Sequence, residues 1–102
     1  MVTQLPADAV AVLTHDPKLD DPAVLSALRA GCRYVGAIGS RRTQAARRGR
    51  LRDAGLSERQ VRRLRGPIGL DLGGRQPAEV ALAILAEIVA ARYGTAGGPF
   101  ER

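Results

Sequence analysis

The stretch Ala37-Ile38-Gly39-Ser40-Arg41-Arg42-Thr43 brings together the groups that an anion needs. Gly39 ends an apolar run and lets a ligand approach the backbone. A helix opening after Ser40 offers unpaired N–H groups and a partial positive charge. Ser40 and Thr43 add hydroxyls, and Arg41 and Arg42 add forked donors that match phosphate oxygens. The same residues also read as an ordinary capped helix start. Neither GxxxxGK[ST] nor GxGxxG occurs, so a Walker loop and a dinucleotide fingerprint are both missing. His15-Asp16 with Asp20 and Asp21 is a second cluster, of the kind that does acid–base work or holds a metal. The plainer assignment makes Asp16 and Asp21 turn and cap residues and His15 a hydrogen-bonded loop residue. Asp71 and the Gly73-Gly74-Arg75 turn offer a third wall. Glu79 stands three residues after Gln76 and suits a helix cap. Glu87, on an apolar helix, is expected to face solvent or pair with an arginine. Cys32 reads as a packed thiol, because no histidine is near it in sequence.

These residues need elements to position them. Ala9 to Thr14 (AVAVLT) is a continuous apolar run, the signature of a strand buried on both faces. Asp21 as cap and Pro22 at the first helical position predict a helix that Gly31 stops. Tyr34 to Ile38 (YVGAI) is a second buried strand, and Gly36 within it predicts close approach by another group. Ser40 caps a helix from Arg41 to Ala54, with Gly55 as its stop and Ala45, Leu51 and Ala54 as its thin apolar stripe. Ser57 and Gln60 fit a capping box for a short helix through Leu64. Ile68 to Leu70 is a short third strand. Pro77 opens the longest helix, to Tyr93, with Val80, Ile84, Ile88 and Ala91 on one stripe and Gly94 as its stop. The order β-α-β-α-α-β-α predicts an α/β fold, a three-layer Rossmann-like parallel sheet. The loops His15 to Asp21, Gly39 to Thr43 and Asp71 to Gln76 then share the carboxyl rim, where ligands bind in open α/β sheets. Residues 1–94 are expected to form the domain and 95–102 a disordered tail.

Composition narrows the classes. The 102 residues allow one small domain, and 45% hydrophobic with 25% charged is not a disordered composition. Aromatics are 3%, so the core must be aliphatic. One cysteine and one histidine exclude an internal disulfide and multi-His or Cys-only metal sites. No 18-residue apolar run predicts a membrane span, and the first ten residues lack the pattern of a secretory signal, so the cytoplasm is the expected compartment. The net charge is +6, but ten arginines between Arg41 and Arg65 face only Asp53 and Glu58, a local +8. Such a block suits nucleic acid, an acidic partner or a phosphate-bearing ligand; its other reading is a solvated helix face. It carries no stacking aromatics, which argues against single-stranded nucleic acid. Fifteen arginines against one lysine point to coding bias as much as to function.

Three ordered motifs, THDPKLDDPAVL, YVGAIGSRRT and GPIGLDLGGRQPAEVALAILAEI, cover Ala9 to Arg92 with the intervening chain. Together they resemble the C-terminal Rossmann-like domain of the xanthine dehydrogenase accessory factor family (XdhC/CoxI). The resemblance implies a maturation factor for molybdenum hydroxylases such as xanthine or carbon monoxide dehydrogenase, and not a hydroxylase itself. It implies that the molybdenum cofactor is bound, protected during sulfuration and handed to the apoenzyme, with a sulfurating desulfurase as a further partner. Motif positions carried over are His15, Asp16, Asp20, Gly36, Gly39, Ser40, Arg41, Arg42, Thr43, Gly69, Asp71, Gly73, Pro77, Glu79 and Glu87. Of these, His15, Asp16, Asp20, Gly39 to Thr43, Asp71 and Gly73 are the expected cofactor-binding set.

Members of that family also carry an N-terminal domain with a cysteine motif and the first, glycine-rich half of the Rossmann domain. The chain therefore reads as the second half of a doubly wound domain, truncated or split, and Cys32 does not inherit the cysteine motif's role. On that reading Ala9 to Thr14 is an unpaired apolar edge strand, which predicts a homodimer or pairing with a separate N-terminal polypeptide. Two other functions fit the residues: an NAD(P)- or nucleotide-binding half-domain of an oxidoreductase, and a basic module for protein or RNA.

Overall fold

Two short apolar runs make the middle of the sheet. In a computed structural model, which describes residues 2–5 and 9–101, the chain divides into two compact units, Met1–Ile68 and Gly69–Arg102. The first unit holds four strands in spatial order β1 (Val2–Leu5), β2 (Ala9–Val12), β3 (Tyr34–Ala37) and β4 (Leu64–Arg65). Strands β2, β3 and β4 are parallel, and β1 joins β2 antiparallel with Val2 opposite Val12. Every residue of β2 and β3 is buried, which is why both read as unbroken apolar runs.

Alternation along the strands sorts the two faces. Val10, Val12, Val35, Ala37 and Leu64 join the core with helices α1 (Pro17–Arg29), α2 (Arg41–Asp53) and α3 (Glu58–Arg62). Val24, Ala27 and Leu28 come from α1, Leu51 from α2 and Val61 from α3. Cys32 packs against this core, as its sequence setting predicts. On the other face a Cβ at Gly36 would lie 2.7 Å from both Ile68 and the Tyr34 hydroxyl, so the close approach expected there is made by side chains of this unit.

Several expectations are corrected. The apolar strand Ala9–Val12 is not an edge: β1 and β3 flank it, which removes the reason given for pairing with a second polypeptide. The third parallel strand is Leu64–Arg65, not Ile68 to Leu70, although the Ile68 N–H still donates to the Ala37 carbonyl at 3.1 Å. Helix α1 starts five residues early. Asp16 is its cap, accepting from the Lys18 N–H at 3.0 Å, Pro17 takes the first helical position, and Pro22 lies inside. The α2 stripe is also different: Ala45 and Ala54 are exposed, and the buried face is Gln44, Arg47 and Leu51.

The second unit is built on α4 (Pro77–Tyr93). The Glu79 carboxylate accepts from the Gln76 N–H at 3.1 Å, and Gly94 closes the helix in the left-handed conformation. The buried face is Ala83, Ile84, Glu87 and Ala90; of the expected stripe only Ile84 is fully buried, with Val80, Ile88 and Ala91 half-buried. Glu87 does not face solvent. It accepts from the Gly69 N–H at 3.0 Å, a buried acceptor for a loop amide. Residues 95–101 have no regular secondary structure.

Candidate functional site

The carboxyl ends of β2 and β3 are side by side, with Val12 opposite Ala37 and the Ile38 N–H donating to the Val12 carbonyl at 2.9 Å. Two exit segments leave there. From β2, residues 13–16 run into the Asp16 cap of α1. One turn later Asp20 points inward and is fully buried, accepting a hydrogen bond from the Thr14 hydroxyl. From β3, Ile38 and Gly39 lead to Ser40, the cap of α2. The Ser40 Oγ accepts from the Thr43 N–H at 3.2 Å and lies 3.1 Å from the Thr43 Oγ1. At Gly39 φ is +129°, and a Cβ there would sit 2.8 Å from Thr43 Cγ2. The room at Gly39 is thus already taken by its own helix start.

Beneath the β3 exit lies a feature that the sequence reading missed. Gln44 is fully buried, and its Nε2 donates to the carbonyls of Ala37, Ile38 and Gly39 at 3.0, 3.1 and 3.2 Å. Arg47, one turn on and 2% exposed, donates through Nη1 to the Gln44 Oε1 at 2.9 Å and to the Ile38 carbonyl at 3.3 Å. Its other atoms face α1: Nη2 lies 3.8 Å from Asp20 Oδ2, and Nε lies 3.8 Å from Asp21 Oδ1. Asp20 Oδ2 and Arg47 Nε have no hydrogen-bond partner. Asp21 also accepts from Arg50, whose Nε is 2.5 Å away, and that bond raises the pKa of the Arg50 guanidinium. The signal for Gln44 and Arg47 was their i, i+3, i+7 spacing with Leu51, since two polar residues on a core face imply a buried network.

Much of the arginine block is engaged in the same way. Arg48 donates to the carbonyls of Leu64 and Gly66, and Arg63 to that of Cys32. Arg52 pairs with Glu58 at 2.5 Å, which lowers the pKa of that carboxyl. Arg65 stands over the Tyr34 ring. Arg41 and Arg42, at the first two positions of α2, are exposed and belong to none of these pairings.

The outcome at the rim is asymmetric in charge. Asp16 caps α1, Asp20 is buried with Thr14 and Arg47, and Asp21 is bonded to Arg50. No group of three His, Cys, Asp or Glu among the described residues could hold a metal ion. Exposed at the β2 exit are His15 and the cap Asp16; exposed at the β3 exit are Ser40, Arg41 and Arg42, at the first amides of a 13-residue helix with no acidic residue in its first turn. Hydrogen-bond donors and fixed positive charge suit a phosphate; they do not suit a cation. His15, Asp16, Asp20, Gly39, Ser40, Arg41, Arg42 and Thr43 all lie in the two exits or the helix turns that follow them. Asp71 and Gly73 are exposed residues of the second unit, in the segment before α4.

Comparison with known proteins agrees with this architecture. The chain is 34% identical over 84 residues to the molybdenum cofactor insertion chaperone PaoD of Escherichia coli (strain K12), which covers 82% of this chain and 26% of that protein. It is 34% identical over 65 residues to the uncharacterized protein YqeB of the same organism, covering 64% of this chain and 12% of YqeB. The chain thus spans about a quarter or less of the curated relatives it matches. The model of the XdhC Rossmann domain matches residues 1–88, which is most of the chain and includes both exits and α2. With its parallel strands β2, β3 and β4 and that match, the chain belongs to the XdhC Rossmann-domain family.

Proposed function

We propose that this domain serves the maturation of a molybdenum hydroxylase by holding the phosphate of the molybdenum cofactor at the start of α2. The observation that carries the reading is the charge asymmetry of the rim. Asp20 and Asp21 face arginines within the protein and the exposed Asp16 caps α1, while Arg41, Arg42 and Ser40 remain outward at the start of α2. The similarity to PaoD, a molybdenum cofactor insertion chaperone, supports the same class of role. Arg41 and Arg42 would supply charge and forked donors. The Arg41 and Arg42 amides are the orphan donors of the helix start. Ser40 and Thr43 would orient the phosphate through their hydroxyls. When bound, the cofactor supplies the metal at which a client hydroxylase works; this domain's residues hold and orient it. The partners on this reading are the hydroxylase apoprotein and a sulfurating desulfurase.

The test is binding of the isolated cofactor to the purified chain, followed by absorbance and by bound molybdenum. The Ser40→Ala/Arg41→Ala variant is expected to bind on the order of tenfold more weakly or worse, since two charge-assisted contacts are lost. Unchanged affinity in the double variant would place the cofactor elsewhere.

A further inference from the structure

Thr14, Asp20, Arg47 and the Ile38 carbonyl form one chain, buried at its centre and half-buried at its ends, between the exit of β2 and the exit of β3. Thr14 donates to one oxygen of Asp20; the other oxygen faces Arg47 at 3.8 Å; Arg47 donates to the Ile38 carbonyl. Asp20 is 0% and Arg47 2% exposed, and each keeps one buried polar atom without a hydrogen bond. Stability alone does not ask for this. A buried ion pair loses most of its attraction to desolvation, and well-packed apolar side chains of similar volume do as well or better. Unmet buried atoms add a further penalty. What the pair does provide, and apolar side chains would not, is a directional side-chain linkage between the two exits, added to the backbone bond from the Ile38 N–H to the Val12 carbonyl at 2.9 Å.

We propose that Asp20 and Arg47 are positioning residues of the rim: they fix the β2 exit against the β3 exit, and so set the geometry of the anion site at Ser40 to Arg42 without touching the ligand. This rests on the phosphate reading given above and deepens it. It removes Asp20 from the ligand-contacting set and adds Arg47 and, through its carbonyl bonds, Gln44 to the residues on which affinity depends.

The test uses the full chain, the isolated cofactor as probe, and two readouts, affinity and the thermal midpoint. Asp20→Asn removes one of the two carboxylates that face the buried Arg47, leaving only Asp21 at 3.8 Å, and is expected to lower both. Asp20→Leu/Arg47→Met replaces the pair by apolar groups; its midpoint is expected to return to near the unsubstituted value. Its affinity is expected to stay on the order of tenfold down, the scale of loss when outer-shell partners of a ligand site are removed. Affinity that recovers together with the midpoint would make the pair purely structural and overturn the proposal. A third measurement needs no substitution. Cofactor binding to the unsubstituted chain is expected to slow amide exchange in residues 13–16 as well as 38–40, and slowing confined to 38–40 overturns the coupling. If Ser40→Ala/Arg41→Ala weakens binding while the Asp20 and Arg47 variants do not, this inference fails and the phosphate reading stands. If the unsubstituted chain binds no cofactor, both fall.

Discussion

Gly39 carries the tightest local constraint at the site. Its φ of +129° lies outside the range most side chains adopt, and a Cβ would press on Thr43 at 2.8 Å. Gly39→Ala is therefore expected to cost about 1–3 kcal/mol in urea denaturation. The loss would appear without any ligand, because Thr43 and Gln44 already occupy the neighbouring space. That a glycine was required between a strand and a helix start was legible from the sequence. What filled the space was not, because Thr43 closes over it only once α2 has formed. Arg47 makes the same point more strongly. Among ten arginines in 25 positions nothing in its own neighbourhood marks it out. It is buried because α1 brings Asp20 and Asp21 from 27 and 26 positions away.

Helix ends were legible where their signals are local. Ser40 caps α2, the Ser57–Gln60 box opens α3, Glu79 bonds the Gln76 amide before α4, and Gly94 closes it. Each depends on groups within three or four residues of one another. Helix α1 shows where such signals fail. Asp-Pro occurs at both Asp16-Pro17 and Asp21-Pro22, and the two are locally equivalent starts. Starting at Asp16 costs one helical hydrogen bond at Pro22. It also carries Asp20 inward to Thr14 and Arg47 and places Asp21 against Arg50, a choice made by contacts with α2. Asp16→Ala is accordingly expected to destabilise the fold by about 1 kcal/mol, measured as a lower urea midpoint at unchanged slope.

Across the whole molecule, the first unit has an aliphatic core centred on residues such as Leu28, which is 1% exposed and packed with Val24, Val35 and Leu51. Leu28→Ala is expected to cost about 2–5 kcal/mol. Against a typical domain stability of about 5–15 kcal/mol that is a large share, and calorimetry or urea denaturation would show it directly. The sheet is larger than its apolar runs suggested. Strand β1 covers the flank of β2 that was expected to be bare. The +6 charge also changes meaning at this scale, since Arg47, Arg48, Arg50, Arg52 and Arg63 tie α2 and α3 to neighbouring carbonyls and carboxylates.

The sequence by itself determined the elements that rest on neighbours in the chain: two buried strands, the caps of α2, α3 and α4, the α/β order, and a motif set specific enough to show the family. Only the tertiary structure decided which Asp-Pro opens α1, which strand runs third, what flanks β2, and which arginines turn inward. Those outcomes depend on burial and pairing between residues about 10 to 30 positions apart, where local propensity carries no information and packing makes the choice.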